Sequence, residues 1–155
     1  MVAVALKRID FVKDSDYNKQ SNHITESVKI QIDQYFAGTR MAFYIEIEFR
    51  GTDLQKKVWR ALKDIPYGHT ASYKELAENI NCSKGFRAVG NANNKNRYAI
   101  VVPCHRVIGS NGNLVGYAGG LDAEWAHTCR PACRADRNPG FAHWARTSAS
   151  LVHDG

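Results

Sequence analysis

No stretch of this chain is apolar for long enough to cross a bilayer, and the opening residues 1–11 are too short for a secretory signal. Cysteines are few: Cys82, Cys104, Cys129 and Cys133 follow no spacing of a secreted disulfide scaffold. A reducing interior, cytoplasmic or nuclear, is therefore expected, and thiols there stay free to react. Acidic side chains are also in deficit. Lysine and arginine number 21 against 15 aspartates and glutamates, giving a formal charge of +6. Such a balance suits a polyanionic partner such as nucleic acid, and it equally fits a solvated basic face. Wholesale disorder is excluded by a hydrophobic content of 44%. The 155 residues allow one domain, or a small appendage and one domain.

The first fifty residues read as a small α/β unit. Residues 2–11 suit a strand, and a polar stretch follows through Asn22. Ile24, Val28, Ile32, Tyr35 and Phe36 then recur at helical spacing, with Gly38 where a helix would stop. Over residues 43–49 the pattern alternates, with Phe43, Ile45, Ile47 and Phe49 on one face and Tyr44, Glu46 and Glu48 on the other. That alternation predicts a half-buried strand.

The middle of the chain predicts helices. Thr52 and Gln55 form a capping box ahead of Val58, Trp59 and Leu62. Pro66, Tyr67 and Gly68 mark a turn. Ser72 and Glu75 form a second box opening a helix over residues 73–80, and Ser83 is placed to cap another running to about Lys95. Two short helices across a tight polar turn suggest a helix-turn-helix, although an ordinary helical hairpin has the same signature. The second helix is rich in glycine and asparagine, poor helix formers. Small residues let a helix approach something closely, either a DNA groove or another helix.

An apolar run over residues 98–108 is interrupted by Pro103, Cys104, His105 and Arg106. A free cysteine in apolar surroundings is normally an inert core residue. Cys104 differs in its neighbours, because histidine and arginine lower a thiol pKa and supply the thiolate. Adjacent residues on a strand point to opposite faces, so a direct Cys104–His105 contact requires a turn or a bridging water. Asn111 and Gly112 mark a turn, after which residues 114–117 return as a short strand.

The segment Pro103-Cys104-His105-Arg106-Val107 resembles the acceptor motif of the O6-alkylguanine-DNA alkyltransferases, also called methylated-DNA–protein-cysteine methyltransferases. Gly51-Thr52-x-x-Gln55-x-x-Val58-Trp59, Ile65-Pro66-Tyr67-Gly68, Ser72-Tyr73, Arg87-Ala88-Val89-Gly90 and Tyr117-x-Gly119-Gly120-Leu121 stand in that family's order and spacing. The resemblance runs from about Asp33 to Asp122 and weakens toward the N-terminus. It implies that an alkyl group passes once, irreversibly, from O6 of guanine in double-stranded DNA to Cys104, with no cofactor and no metal. His105 would deprotonate Cys104 through a water, and Asn96 would support the pocket and its tyrosine. Tyr73 would rotate a phosphate and donate a proton toward the departing base, with Ser72 beside it on the DNA. Arg87 would enter the stack in place of the flipped nucleotide. Ala88 and Gly90 would let their helix into the minor groove, where small residues and sequence-blind contact suit a lesion enzyme. The backbone at Val107, together with Tyr117 and Ala118, would line the guanine pocket. Some relatives carry a hydroxyl at the position of Ala118.

The far end departs from the pattern. Where the family has a glutamate that orients the histidine, this chain has Pro131. All ten lysines precede Asp122, and residues 123–155 contain neither lysine nor isoleucine. Residues 1–122 hold 17 basic and 12 acidic side chains, so +5 of the +6 belongs to the recognisable part. The tail reads as frameshifted or disordered. A rival reading makes His127, Cys129 and Cys133 metal ligands, though a fourth ligand is wanting.

The expected fold is an α/β N-terminal unit followed by a mainly α domain with a winged-helix-like helix-turn-helix and a short β-hairpin around the active cysteine. Its parts are residues 1–50, a truncated ribonuclease H-like unit; residues 51–122, the alkyltransferase domain; and residues 123–155, the atypical tail. A monomer acting on alkylguanine DNA, with no membrane partner, is the expected form. A non-catalytic lesion-binding module is the alternative, because the glutamate is missing. For a Cys-His hydrolase the usual oxyanion architecture is lacking.

Overall fold

The computed structural model describes residues 5–11, 22–109 and 149–150. One helix organises the N-terminal part. Asn22 caps α1 (His23–Phe36), its side-chain oxygen accepting from the Ile24 and Thr25 N–H groups at 3.0 Å each. The Thr25 hydroxyl accepts in return from the Asn22 N–H at 2.7 Å. Patterning does not reveal this box, because threonine closes it where glutamate or glutamine is usual. Val28, Ile32, Tyr35 and Phe36 are buried, as their spacing requires. Gly38, at φ 74°, turns the chain just beyond the helix.

Both expected strands of this part are reduced. Phe43, Ile45, Ile47 and Phe49 are half-buried while Tyr44, Glu46 and Glu48 are exposed, so the alternation is real. Ile47 nevertheless makes only an isolated parallel bridge to Leu6. A side chain takes the place of a neighbouring strand: the Tyr44 N–H donates to Gln31 Oε1 at 2.8 Å, and the Gln31 amide donates to the Tyr44 carbonyl at 3.2 Å. With its backbone satisfied that way, residue 44 has no call on a ladder. Within residues 5–11, Leu6 and Ile9 form isolated bridges, Ile9 to Tyr98. Only β1 (Asp10–Phe11) is a strand, antiparallel to β4 (Ala149–Ser150).

The Thr52–Gln55 box forms and opens α2 (Asp53–Lys63), which buries Val58, Trp59 and Leu62. Residues 66–69 close a turn, with the His69 N–H donating to the Pro66 carbonyl at 3.1 Å and Gly68 at φ 80°. A positive φ at the third position is the type II geometry. Next, β2 (Ala71–Ser72) feeds α3 (Tyr73–Asn79), capped by Ser72 and Glu75 as expected. After a turn with Asn81 at φ 57°, α4 spans Phe86–Asn94. It starts later than Ser83 predicts. The Gly85 N–H donates to the Cys82 carbonyl at 2.8 Å, closing a turn over Ser83, and Gly85 becomes the cap with no side-chain bond.

Two apolar cores result. One holds Leu6, Ile9, Val28, Ile32, Tyr35 and Phe36; the other holds Val58, Trp59, Leu62, Leu76, Val89 and Ala92. The chain over residues 98–102 serves both. Tyr98 and Val102 enter the second core, and Ile100 and Val101 enter the first. This explains why the run is apolar without alternation: it supplies side chains to cores on two sides.

Candidate active site

Three tight turns deliver the cysteine. Ile100 stands at φ 71°, and the Val101 N–H donates back to the Ala99 carbonyl at 2.8 Å. A β-branched residue in that region is strained, at an order of 1–3 kcal/mol. Pro103 follows at φ −82°, ψ 64°, with the Cys104 N–H donating to the Val102 carbonyl at 2.9 Å. Those values describe an inverse γ-turn, and proline presets its φ. Cys104–Arg106 then form a single 3-10 turn leading into β3 (Val107–Ile108), which pairs in parallel with β2. Cys104 therefore lies on a turn rather than between strands. The other arm of the expected hairpin, residues 114–117, lies outside the described residues.

Asn96 holds this stretch together. Its amide donates to the Val102 carbonyl at 2.8 Å, and its oxygen accepts from the Tyr98 N–H at 2.9 Å. One side chain thus clamps both ends of the strained loop. Tyr98 anchors the loop further, its hydroxyl donating to the Glu48 carbonyl at 2.8 Å and accepting from the Arg50 N–H at 3.0 Å.

Cys104, His105 and Val107 are all buried, and Cys104 retains 7% exposure. Tyr73, the first residue of α3, is half-buried close by. Burial raises the pKa of its phenol, a hydrogen bond from Asn93 works in the opposite direction, and the charge of Cys104 raises it further. The cysteine and the tyrosine are thus electrostatic neighbours. Complete burial and then the Arg106 cation lower the pKa of His105 to about 3. Its imidazole is neutral across the physiological range. A neutral imidazole can receive a proton, but holding it in this environment needs a compensating negative charge.

Arg106 points away from the reacting end. It donates to the Ile65 carbonyl at 2.7 Å and its guanidinium lies over the Tyr67 ring at 5.7 Å. A groove of about 140 Å³ lies behind the segment, lined by Phe43, Lys63, Pro66, Tyr67, Val101 and Arg106 among others. Its lining includes neither Cys104 nor Tyr73, so it is separate from the site.

The other sequence-predicted residues divide. Ser72 commits its hydroxyl to the cap, accepting from the Glu75 N–H at 3.1 Å and donating to the Glu75 carboxylate at 2.8 Å. Arg87 and Ala88 are exposed on α4, with Asn91 and Lys95 one and two turns further along the same face. Gly90 faces inward: a Cβ there would stand 3.6 Å from the Tyr73 ring. That is ordinary van der Waals contact, so a methyl group would fit at this position. Tyr117 and Ala118 lie outside the described residues, as do Pro131 and the three proposed metal ligands His127, Cys129 and Cys133. Among the described residues no cluster of three metal-ligating side chains exists.

Residues 53–127 match the family profile of the 6-O-methylguanine DNA methyltransferase DNA-binding domain. A methylated-DNA–protein-cysteine methyltransferase of Methanosarcina barkeri is 46% identical over 124 residues, covering 76% of this chain and 78% of that one. The chain belongs to the methylated-DNA–protein-cysteine methyltransferase family. The methyltransferase of that name from Mycolicibacterium paratuberculosis is 58% identical over 92 residues, 59% of this chain and 56% of its own. Among solved structures, Mycobacterium tuberculosis OGT in complex with DNA superposes with a TM-score of 0.62 at 45% identity, covering 71% of each chain. The O6-methylguanine-DNA methyltransferase from Pyrococcus kodakaraensis gives 0.55 at 30% identity, over 77% of this chain and 66% of that one. The fold is that of these methyltransferases.

Two contributors escape sequence reasoning. Asn93 reads only as a poor helix former, yet it is 2% exposed and is among the groups that set the Tyr73 pKa. The clue lies in spacing: Gly90 and Asn93 share a helix face at i and i+3. Arg106 reads as a thiol-activating cation and is instead a brace between the cysteine turn and residues 65–67.

Proposed function

We propose that this chain repairs DNA by taking an alkyl group from O6 of guanine onto Cys104, in a single irreversible event and with no cofactor. The observation that carries the reading is Cys104 on its braced turn, buried beside Tyr73, in a chain of this family. Cys104 loses its proton to His105 through a water, and the thiolate sulfur attacks the alkyl carbon. The carbon–O6 bond breaks, the electron pair leaves with guanine, and Tyr73 donates a proton toward the departing base. Asn96 keeps the loop before Cys104 in shape for that attack.

α3, its turn and α4 act as a winged-helix-like helix-turn-helix, with residues 107–117 as a hairpin wing. The exposed face of α4, with Arg87 and Ala88 at its start, enters the minor groove, where Arg87 fills the gap left by the flipped nucleotide. Ser72, Tyr73 and the inward-facing Gly90 keep α3 and α4 at the right approach to the phosphates. Val107, Tyr117 and Ala118 line the guanine pocket. The remaining basic charge adds salt-dependent affinity without sequence preference. The protein acts as a monomer, in the cytoplasm of a bacterium or in a nucleus.

Mixing the chain with a duplex containing O6-methylguanine and measuring intact mass tests this. Gain of one methyl group, absent in Cys104→Ser, is the expected result. Transfer should be slower than in family members with a glutamate at the position of Pro131, as expected from the sequence. Duplex binding without mass gain would instead select the non-catalytic lesion binder, and ester turnover a hydrolase.

A further inference from the structure

Among the described residues, four large apolar side chains stand more than half exposed: Ile30, Met41, Tyr44 and Phe86. Such residues scattered singly are ordinary on a protein surface. Phe86 differs in its place, as the first residue of α4, the helix proposed to enter the minor groove. It belongs to neither apolar core, and the exposed cations Lys84 and Arg87 flank it. Gly90, four residues on, shares its side of the helix. A Cβ on Gly90 would stand 3.6 Å from Cε1 of Tyr73, so Phe86 lies on the side of α4 that looks toward the site. Bulk is confined to this end of the helix. Between Arg87 and Lys95 the exposed positions are Ala88 and Asn91. Alanine is the better helix former, so helix formation gives no reason for a phenylalanine at the head.

We propose, on the reading of α4 as the groove helix, that Phe86 is a further DNA contact: an apolar wedge that packs on the base step beside the flipped nucleotide while Arg87 fills the gap. Minor-groove proteins use such side chains to unstack a step and open the groove. A phenyl ring carries no hydrogen-bonding group, so it adds affinity without reading sequence, as a lesion enzyme requires. The cations on either side draw the same end of α4 to the phosphates. Loosening the neighbouring step lowers what extrusion of the alkylguanine costs.

The experiment uses full chains carrying Cys104→Ser, which removes the acceptor thiol, and titrates them by anisotropy onto an O6-methylguanine duplex at several salt concentrations. Phe86→Ala should weaken binding about tenfold. The factor should be the same at every salt concentration, because no phosphate contact is lost. Phe86→Trp should restore the affinity, since another large ring fills the step. 2-Aminopurine placed beside the lesion brightens as its step opens, and at saturating protein Phe86→Ala should remove most of that gain. Because the ring is half exposed, the alanine variant should fold, which circular dichroism checks. Unchanged affinity and unchanged fluorescence in Phe86→Ala would overturn the wedge alone. A loss that comes with an altered salt slope also overturns it, since Phe86 would then act by placing its cationic neighbours. If the chain with Phe86 intact does not bind the duplex at all, the reading of α4 falls and takes the wedge with it.

Discussion

The two apolar cores are built on different principles. Around Val58, Trp59, Leu62 and Leu76, short helices announce themselves: two capping boxes, a proline-glycine turn and helical periodicity specify each piece before any long-range contact is made. Around Leu6, Val28 and Ile32, one good helix gathers extended segments that touch it and one another through isolated bridges and a glutamine amide. The first kind of core tolerates being read locally. The second exists only once distant segments meet, and its closure costs loop entropy before any contact compensates. All the proposed chemistry sits at the locally specified core, apart from the loop over residues 98–102, which belongs to both.

That shared loop makes the comparison breakable. Trp59→Ala should destabilise the fold by about 3–5 kcal/mol, because it empties a site that is 1% exposed and strips the Ala92 carbonyl of its 2.9 Å donor. Ile32→Ala, in the other core, should cost about 2–5 kcal/mol. If residues 98–102 couple the cores, Ile32→Ala must also speed hydrogen exchange at the Trp59 indole N–H to a similar degree. Exchange at Trp59 that ignores Ile32 would show two independent bodies.

Asn96→Ala is the sharper cut, at the seam itself. It leaves the Val102 carbonyl and the Tyr98 N–H without their partner, at about 2–3 kcal/mol. Urea unfolding should show that loss, and methyl transfer should fall further than stability alone explains, since the loop presents Cys104.

The smallest effect is a pH dependence confined to the second core. His105 titrates near 6.5 when unfolded and near 3 in the fold. Between those values the unfolded chain holds a proton that the folded chain does not, so stability falls as pH drops below 6.5. At about 1.4 kcal/mol per unit, the loss by pH 5 is about 2 kcal/mol. Denaturation midpoints at pH 7 and pH 5 should differ accordingly, and His105→Gln should flatten the difference. An unchanged slope in that variant would mean that other groups carry the acid sensitivity.

What was legible in the sequence follows from the same contrast. The α1 stripe, both serine or threonine boxes, the turn at residues 66–68 and the acceptor segment are local patterns, and all appear where their residues predict. Misreadings arose where a long-range partner decides. Residues 43–49 alternate like a strand, but Gln31 answers the backbone at residue 44, and no propensity at that position foretells a side chain thirteen residues away. Ser83 is a good cap that loses to a turn closed by Cys82 and Gly85. In the site, Cys104, Tyr73 and Asn96 were readable from their family spacing. Asn93 was not, because its burial is decided only once α3 and α4 pack.

Irregular chain is ordinarily where a protein tolerates changes of length, since a surface loop can bulge without disturbing what it connects. The loop before Cys104 inverts that rule. Its side chains are divided between two cores, Tyr98 and Val102 to one and Ile100 and Val101 to the other, and tight turns stand at Ile100 and Pro103. One inserted residue would upset that division and carry the cysteine off its turn. Among related sequences, the count of residues between the asparagine and the acceptor cysteine should therefore vary less than the residues themselves.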